Sequence, residues 1–168
     1  RVVWIGQEAT AKHLRTLAPV MTTLSDNGVA EYSAIGIDAS RHGFPMHSIP
    51  WSEETEADSI REFDVGIMPL NDSPFERGKC GYKLIQYMAC GLAVVASPVG
   101  VNCQIVQHGA NGFLADSTPE WETALKMLQQ DPELRMRMGS AGRRIVEREY
   151  CTQVTAPRLT HLFKGVCG

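Results

Sequence analysis

The run Ala93-Val94-Val95-Ala96 has no polar residue at alternate positions. Neither face of the strand it forms is suited to water, so it needs a parallel sheet covered by helices on both sides. The rest of the chain repeats a strand, turn and helix grammar around it. Val2-Val3-Trp4-Ile5 precedes Gly6, and Leu14, Leu17, Met21 and Leu24 then recur at helical spacing, with Pro19 predicting a kink and Asp26-Asn27-Gly28 a stop. Residues 32–37 and, more weakly, 46–51 read as further strands, and the acidic stretch 53–62 as a solvated helix. Residues 64–70 read as a fourth strand, 81–90 as a helix closed by Gly91, 102–107 as a short helix and 112–115 as a sixth strand. Thr118-Pro119-Glu120 and Asp131-Pro132-Glu133 start two further helices, Thr118 acting as the cap of the first, and a terminal helix covers 152–168. The pattern predicts an α/β fold: a doubly wound, Rossmann-like parallel sheet of about six strands with helices on both faces, in a single domain over 1–168. Ligands of such sheets bind beyond the strands' carboxyl ends, which directs attention to loops 6–10, 71–81 and 97–102.

Within the second of these loops, Glu76-Arg77-Gly78-Lys79-Cys80-Gly81-Tyr82-Lys83 leads into a helix. Helix N-terminal amides have no internal acceptor and carry partial positive charge, so two lysines there repel the dipole unless an anion lies between them. Lys79, Lys83 and Gln86 or Tyr87 form one stripe, leaving Leu84, Ile85 and Met88 to pack on the sheet. A phosphate site follows. Neither GxxxxGK[ST] nor GxGxxG occurs, so nucleotide hydrolysis and dinucleotide redox chemistry lose their main signals.

The segment 64–70, the run from Gly78-Lys79-Cys80-Gly81 to Met88-Ala89-Cys90-Gly91, then Val94-Val95-Ala96-Ser97-Pro98-Val99-Gly100 and Asn111-Gly112-Phe113 resemble the C-terminal half of group 1 glycosyltransferases. The resemblance covers nearly the whole chain. It implies one half of a two-domain GT-B enzyme: the part that binds a nucleotide-diphospho-sugar donor, with the acceptor held by an N-terminal domain outside these residues. Metal-independent, retaining transfer is implied, with no cofactor. The implied donor-binding residues are Glu76, Gly78, Lys79, Gly81, Lys83 and Gln86 on one side of the cleft and Ser97, Gly100, Val101 and Asn102 on the other. Lys79, Lys83 and backbone amides would stabilise the leaving diphosphate. Catalytic groups on the acceptor side would lie upstream, so this chain alone is expected to be inactive. A chain that opens on Arg1 and runs straight into Val2-Val3-Trp4-Ile5 is expected to begin inside a longer protein.

Two departures from the family stand out. Many members carry glutamates eight residues apart, the first near the donor sugar and the second on the ribose, where this chain has Gly78 and Gln86. Gln86 still accepts and donates one hydrogen bond each. On that alignment Gln86→Glu leaves donor binding unchanged or tightens it, and Glu76, two residues early, is a candidate replacement for the first acid, against the reading of an exposed loop glutamate. Relatives also place an arginine just after the first loop's glycine and a lysine five residues later. Here Gln7 follows Gly6, and Lys12 occupies the lysine position, where a solvated surface lysine is the simpler reading.

Other classes recede. Sixteen Lys and Arg against nineteen Asp and Glu give a net charge of -3, too little basic field for nucleic acid. No uninterrupted apolar run spans a bilayer and no secretory signal is visible. Five cysteines without a CxxC pair suit reduced cytosolic thiols, and five scattered histidines suit no metal site. Trp4, Trp51 and Trp121 are expected in the core. Arg135, Arg137, Arg143, Arg144 and Arg148 would allow peripheral contact with the inner membrane face, although a mixed-charge solvent face fits them better. Two alternatives to the transferase reading stay open: a GT-B type sugar-nucleotide epimerase, and a non-catalytic nucleotide- or phosphate-binding regulatory domain. A receiver-like version of the latter wants paired acids after the first strand, where Gly6-Gln7-Glu8 offers one.

Overall fold

The computed structural model describes residues 1–166. Six parallel strands, β1 (Val2–Ile5), β2 (Tyr32–Ile35), β3 (His47–Ile49), β4 (Val65–Met68), β5 (Ala93–Ala96) and β6 (Gly112–Leu114), lie in the order β3-β2-β1-β4-β5-β6. The doubly wound expectation holds. Period-two alternation divides the strand residues between two cores. Val2, Trp4, Tyr32, Val65, Ile67, Ala93 and Val95 face one, together with α2 (Ala18–Asp26) and α7 (Thr118–Gln130). Val3, Ile5, Ile35, Met68, Val94 and Ala96 face the other, with α5 (Tyr82–Ala89) and Val146.

The remaining helices are α1 (Glu8–Ala11), α3 (Glu56–Arg61), α4 (Pro74–Arg77), α6 (Asn102–Ile105), α8 (Pro132–Ile145) and α9 (Thr152–Val166), with a π-helical turn over Val146–Tyr150. Residues 167 and 168, the end of the expected terminal helix, lie outside the described residues, as does Cys167. No helix among the described residues is long and apolar enough to cross a membrane.

Pro19 kinks no helix. It sits in the first turn of α2, after a 3₁₀ segment at Lys12–Leu17, so the expected single helix is three short pieces. The cap of α7 is Ser117 rather than Thr118, and the Glu120 carboxylate accepts from the Asp116 and Ser117 amides at 2.8 and 2.9 Å. Trp4 and Trp121 are buried as expected, whereas Trp51 is 52% exposed because β3 is a three-residue edge strand and the chain leaves the sheet directly after it. Arg143 pairs with Glu147 at 2.7 Å, Arg148 pairs with Glu149 at 2.7 Å, and Arg135 bonds backbone carbonyls at the end of α7. These three arginines therefore serve local structure.

Two close approaches hold the second core together. A Cβ on Gly66 would lie 2.3 Å from the Tyr87 ring, so β4 accepts α5 only because that position has no side chain. The Tyr87 hydroxyl then accepts from the Ile5 amide at 2.9 Å and donates to the Ile67 carbonyl at 3.3 Å. Tyr87 thus belongs to the core, and the stripe continuing from Lys83 is carried by Gln86.

Candidate functional site

Crossovers run one way from β1 and the other way from β4, so the loops after these two strands part and open a crevice at the sheet's carboxyl edge. A cavity of about 600 Å³ fills it, a volume in the range of small-molecule sites. Ile5, Met68, Gly6 and Gly36 line its base. A Cβ on Gly36, at φ +94°, would lie 2.4 Å from the Gly6 carbonyl oxygen, so the loops after β1 and β2 touch through backbone alone.

One wall is the start of α5. Gly81 adopts the left-handed conformation at φ +69° and is the cap residue, with no side chain capping the helix. Only Leu84 and Ile85 of the first turn bond back to the Gly81 carbonyl, leaving earlier amides for an anion. Gly78, Lys79, Gly81, Lys83 and Gln86 all line the cavity, as the sequence reading placed them together.

The lysines differ in their surroundings. Lys83 is largely buried, with its ammonium 5.3 Å from the Trp4 ring centroid. Burial first, then the neighbouring Lys79 charge, push it down to about 8, and no carboxylate among the described residues offsets them. Lys79 lies 3.1 Å from His13 Nε2 and 5.7 Å from the Phe75 ring centroid. Burial lowers its pKa against the opposing pull of Glu76.

Glu76 is 4% exposed, which overturns the reading of an exposed loop glutamate. The cause is α4, a helical turn in a segment read as loop: Ser73 caps it, Pro74 opens it, and Glu76 turns back onto the Ser73 hydroxyl. That hydrogen bond, with Lys12 at 3.5 Å, holds Glu76 below the usual carboxylate range. Glu76 does not line the cavity; it stands behind Lys79, 3.4 Å from His13 Nε2. Burial and Lys79 keep His13 below its ordinary value, so the neutral ring accepts from Lys79 through Nε2. Lys12 is 59% exposed and pairs with Glu76 at 3.5 Å.

Loop 97–102 is placed behind this wall. The Leu70 amide donates to Ser97 Oγ at 3.0 Å and the Asn102 side chain donates to the Ser97 carbonyl at 3.0 Å. A Cβ on Gly100, at φ +57°, would lie 2.6 Å from the Arg77 carbonyl oxygen, and a Cβ on Gly81 would lie 3.0 Å from Val101 Cγ1. Gly100 and Val101 therefore pack against Arg77 and Gly81, Ser97 bonds both Asn102 and Leu70, and none of the four is among the residues lining this cavity.

The opposite wall holds groups that the sequence did not single out. Trp51 and Glu56 line it, with Trp51 Nε1 donating to Glu56 at 2.5 Å and the Gln86 amide donating to the other Glu56 oxygen. Glu56 falls in the acidic stretch 53–62, whose composition predicts a solvated helix. No local signal distinguishes it from Glu53 or Glu54, since its direction depends on how α3 meets α5. His13 was one of five scattered histidines; its sole hint was a place beside Leu14 on an otherwise apolar face. The turn around Glu76 had a readable mark, since Ser73-Pro74-Phe75-Glu76 has the S-x-x-E spacing of a capping box. Among the described residues no cluster of three His, Cys, Asp or Glu side chains is arranged to hold a metal ion.

Comparison with known proteins agrees with this architecture. The chain is 35% identical over 85 residues to a D-inositol 3-phosphate glycosyltransferase of Pseudarthrobacter chlorophenolicus, covering 49% of this chain and 19% of the relative. Sucrose-phosphate synthase from Thermosynechococcus elongatus superposes with a TM-score of 0.76 at 17% identity, over 98% of this chain and 45% of that one. A structure of Anabaena HepE with UDP and glucose gives 0.73 at 16% identity, over 98% and 48%. The chain thus spans less than a third of the curated relative and under half of each solved chain. The family model described as Glycosyl transferases group 1 matches residues 2–131, most of the chain, and the protein belongs to that family.

Proposed function

We propose that the chain is the donor half of a metal-independent, retaining glycosyltransferase, binding a nucleotide-diphospho-sugar in the β1/β4 cavity while an N-terminal domain holds the acceptor. One observation carries this: a largely buried cation with no carboxylate partner among the described residues, Lys83, shares the cavity with Lys79 and an uncapped helix start. A diphosphate supplies the missing counter-charge. In the transfer step, negative charge grows on the leaving phosphate oxygen as positive charge grows on the sugar ring. Lys83, Lys79 and the first α5 amides are fixed where they stabilise that leaving group. Neutral His13 and anionic Glu76 steady Lys79 from behind. The reading places the enzyme in the cytoplasm, with any membrane contact peripheral.

Titration calorimetry with UDP-, GDP-, ADP- and TDP-sugars tests the assignment. Binding of at least one in the micromolar to millimolar range is expected, and no binding of any would favour a regulatory domain. The pH dependence is distinctive. Since the free Lys83 pKa is about 8, raising the pH from 7 to 9 removes its proton and weakens diphosphate affinity by about tenfold. Lys83→Arg, whose guanidinium does not titrate in this range, should flatten that profile.

A further inference from the structure

We propose that Glu56 recognises the vicinal hydroxyls of the nucleoside sugar, making the site selective for ribonucleotides over 2′-deoxyribonucleotides, with Gln86 positioning Glu56 rather than meeting the ribose itself. The inference rests on the donor-site reading above. Glu56 lies at the start of α3, in the wall facing Lys79 and Lys83. Each of its oxygens accepts one hydrogen bond from a neutral donor, Trp51 Nε1 on one and the Gln86 amide on the other. A carboxylate has about four acceptor positions, so two remain on a group that lines the cavity. A vicinal diol supplies two donors.

Charge sets the direction of the ligand. A carboxylate repels phosphate, so the anionic end lies toward Lys79, Lys83 and the start of α5, and a neutral hydroxyl-bearing part lies toward Glu56. Trp51 is held by the same carboxylate and is half exposed, which leaves an apolar ring face for a flat base beside that sugar. One Gln86 amide N–H is already engaged by Glu56, and hydroxyl bonds to an ionised oxygen are stronger than those to the amide oxygen that Gln86 offers. This arrangement also reverses an expectation from the family alignment. With Gln86 donating to Glu56, Gln86→Glu sets two carboxylates against each other and weakens nucleotide binding.

Calorimetry on the full chain with UDP, GDP and ADP, their 2′-deoxy counterparts and inorganic pyrophosphate decides the matter. The base bound best should favour its ribose form by about tenfold or more, and Glu56→Ala should reduce that preference to about twofold or less without weakening pyrophosphate binding. Gln86→Glu should weaken the ribonucleotide. A preference that survives Glu56→Ala, or tighter binding by Gln86→Glu, overturns the assignment. A wild-type chain that binds pyrophosphate and nucleotides with no ribose preference overturns it as well but spares the donor-site reading; one that binds none of them overturns both. Thermal unfolding of each variant confirms that it is folded, as expected for partly exposed side chains outside the two cores.

Discussion

The double variant Lys79→Ala, Lys83→Ala is expected to lose nucleoside-diphosphate binding by a factor of about a hundred or more, since each lysine makes a hydrogen bond to a charged group worth about 1.5–3 kcal/mol. The two contributions differ in origin. Lys83 is a desolvated cation over Trp4, and a bound anion relieves a burial penalty that the free protein carries alone. Lys79 already has the Glu76 charge beside it, so a bound anion gains less there. Lys83→Ala alone should therefore weaken binding more than Lys79→Ala alone. Calorimetry checks this, with circular dichroism to establish that the sheet is intact. Affinity retained by the double variant would mean that the phosphates lie elsewhere.

The second large effect is on stability. Gly139 of α8 packs so tightly that a Cβ would lie 1.9 Å from the Gly91 carbonyl oxygen, which is backbone and cannot rotate away. Gly139→Ala must lift α8 from the turn that closes α5, or distort that turn. The cost is about 3 kcal/mol or more, at the upper end of overpacking effects. For a domain of this size that corresponds to a fall in Tm of about 10 °C. Gly165, in α9, has nothing within 4 Å of its added Cβ, so Gly165→Ala should be neutral or slightly stabilising. Denaturation by heat or urea separates the two; equal effects would show that the α8 contact is not the cause.

The layout of the fold was legible because its signals are local. Val2–Ile5 and Ala93–Ala96 declare burial through composition, and Gly28, Gly81 and Gly91 mark turns through the positive φ each adopts. The cationic wall was legible for the same reason, since Lys79, Lys83 and the glycines around them lie within six residues. The opposite wall was not. Trp51 and Glu56 come from the segment after a short edge strand and from a six-residue helix, and Glu56 meets Gln86 only once β3 and β4 are set on opposite sides of β1. Long-range placement decided His13 too: it reaches Lys79 from 66 residues away. The loop at Ser97–Asn102 illustrates the reverse difficulty. Its residue types suit a ligand wall, but the buried Ser97 hydroxyl and the Asn102 amide nitrogen bond the protein's own backbone, while Asn102 Oδ1 has no partner among the described residues.

The Tyr87 hydroxyl has a consequence for how the site responds to a ligand. By bonding the Ile5 amide and the Ile67 carbonyl, it fastens the helix bearing Lys83 and Gln86 to the two strands whose ends form the cavity base. Cationic wall and base are thereby one preorganised unit, with little backbone freedom to lose on association. On the proposed reading, binding of a diphosphate then depends mainly on stripping water from the two lysines, with little rearrangement of the described chain.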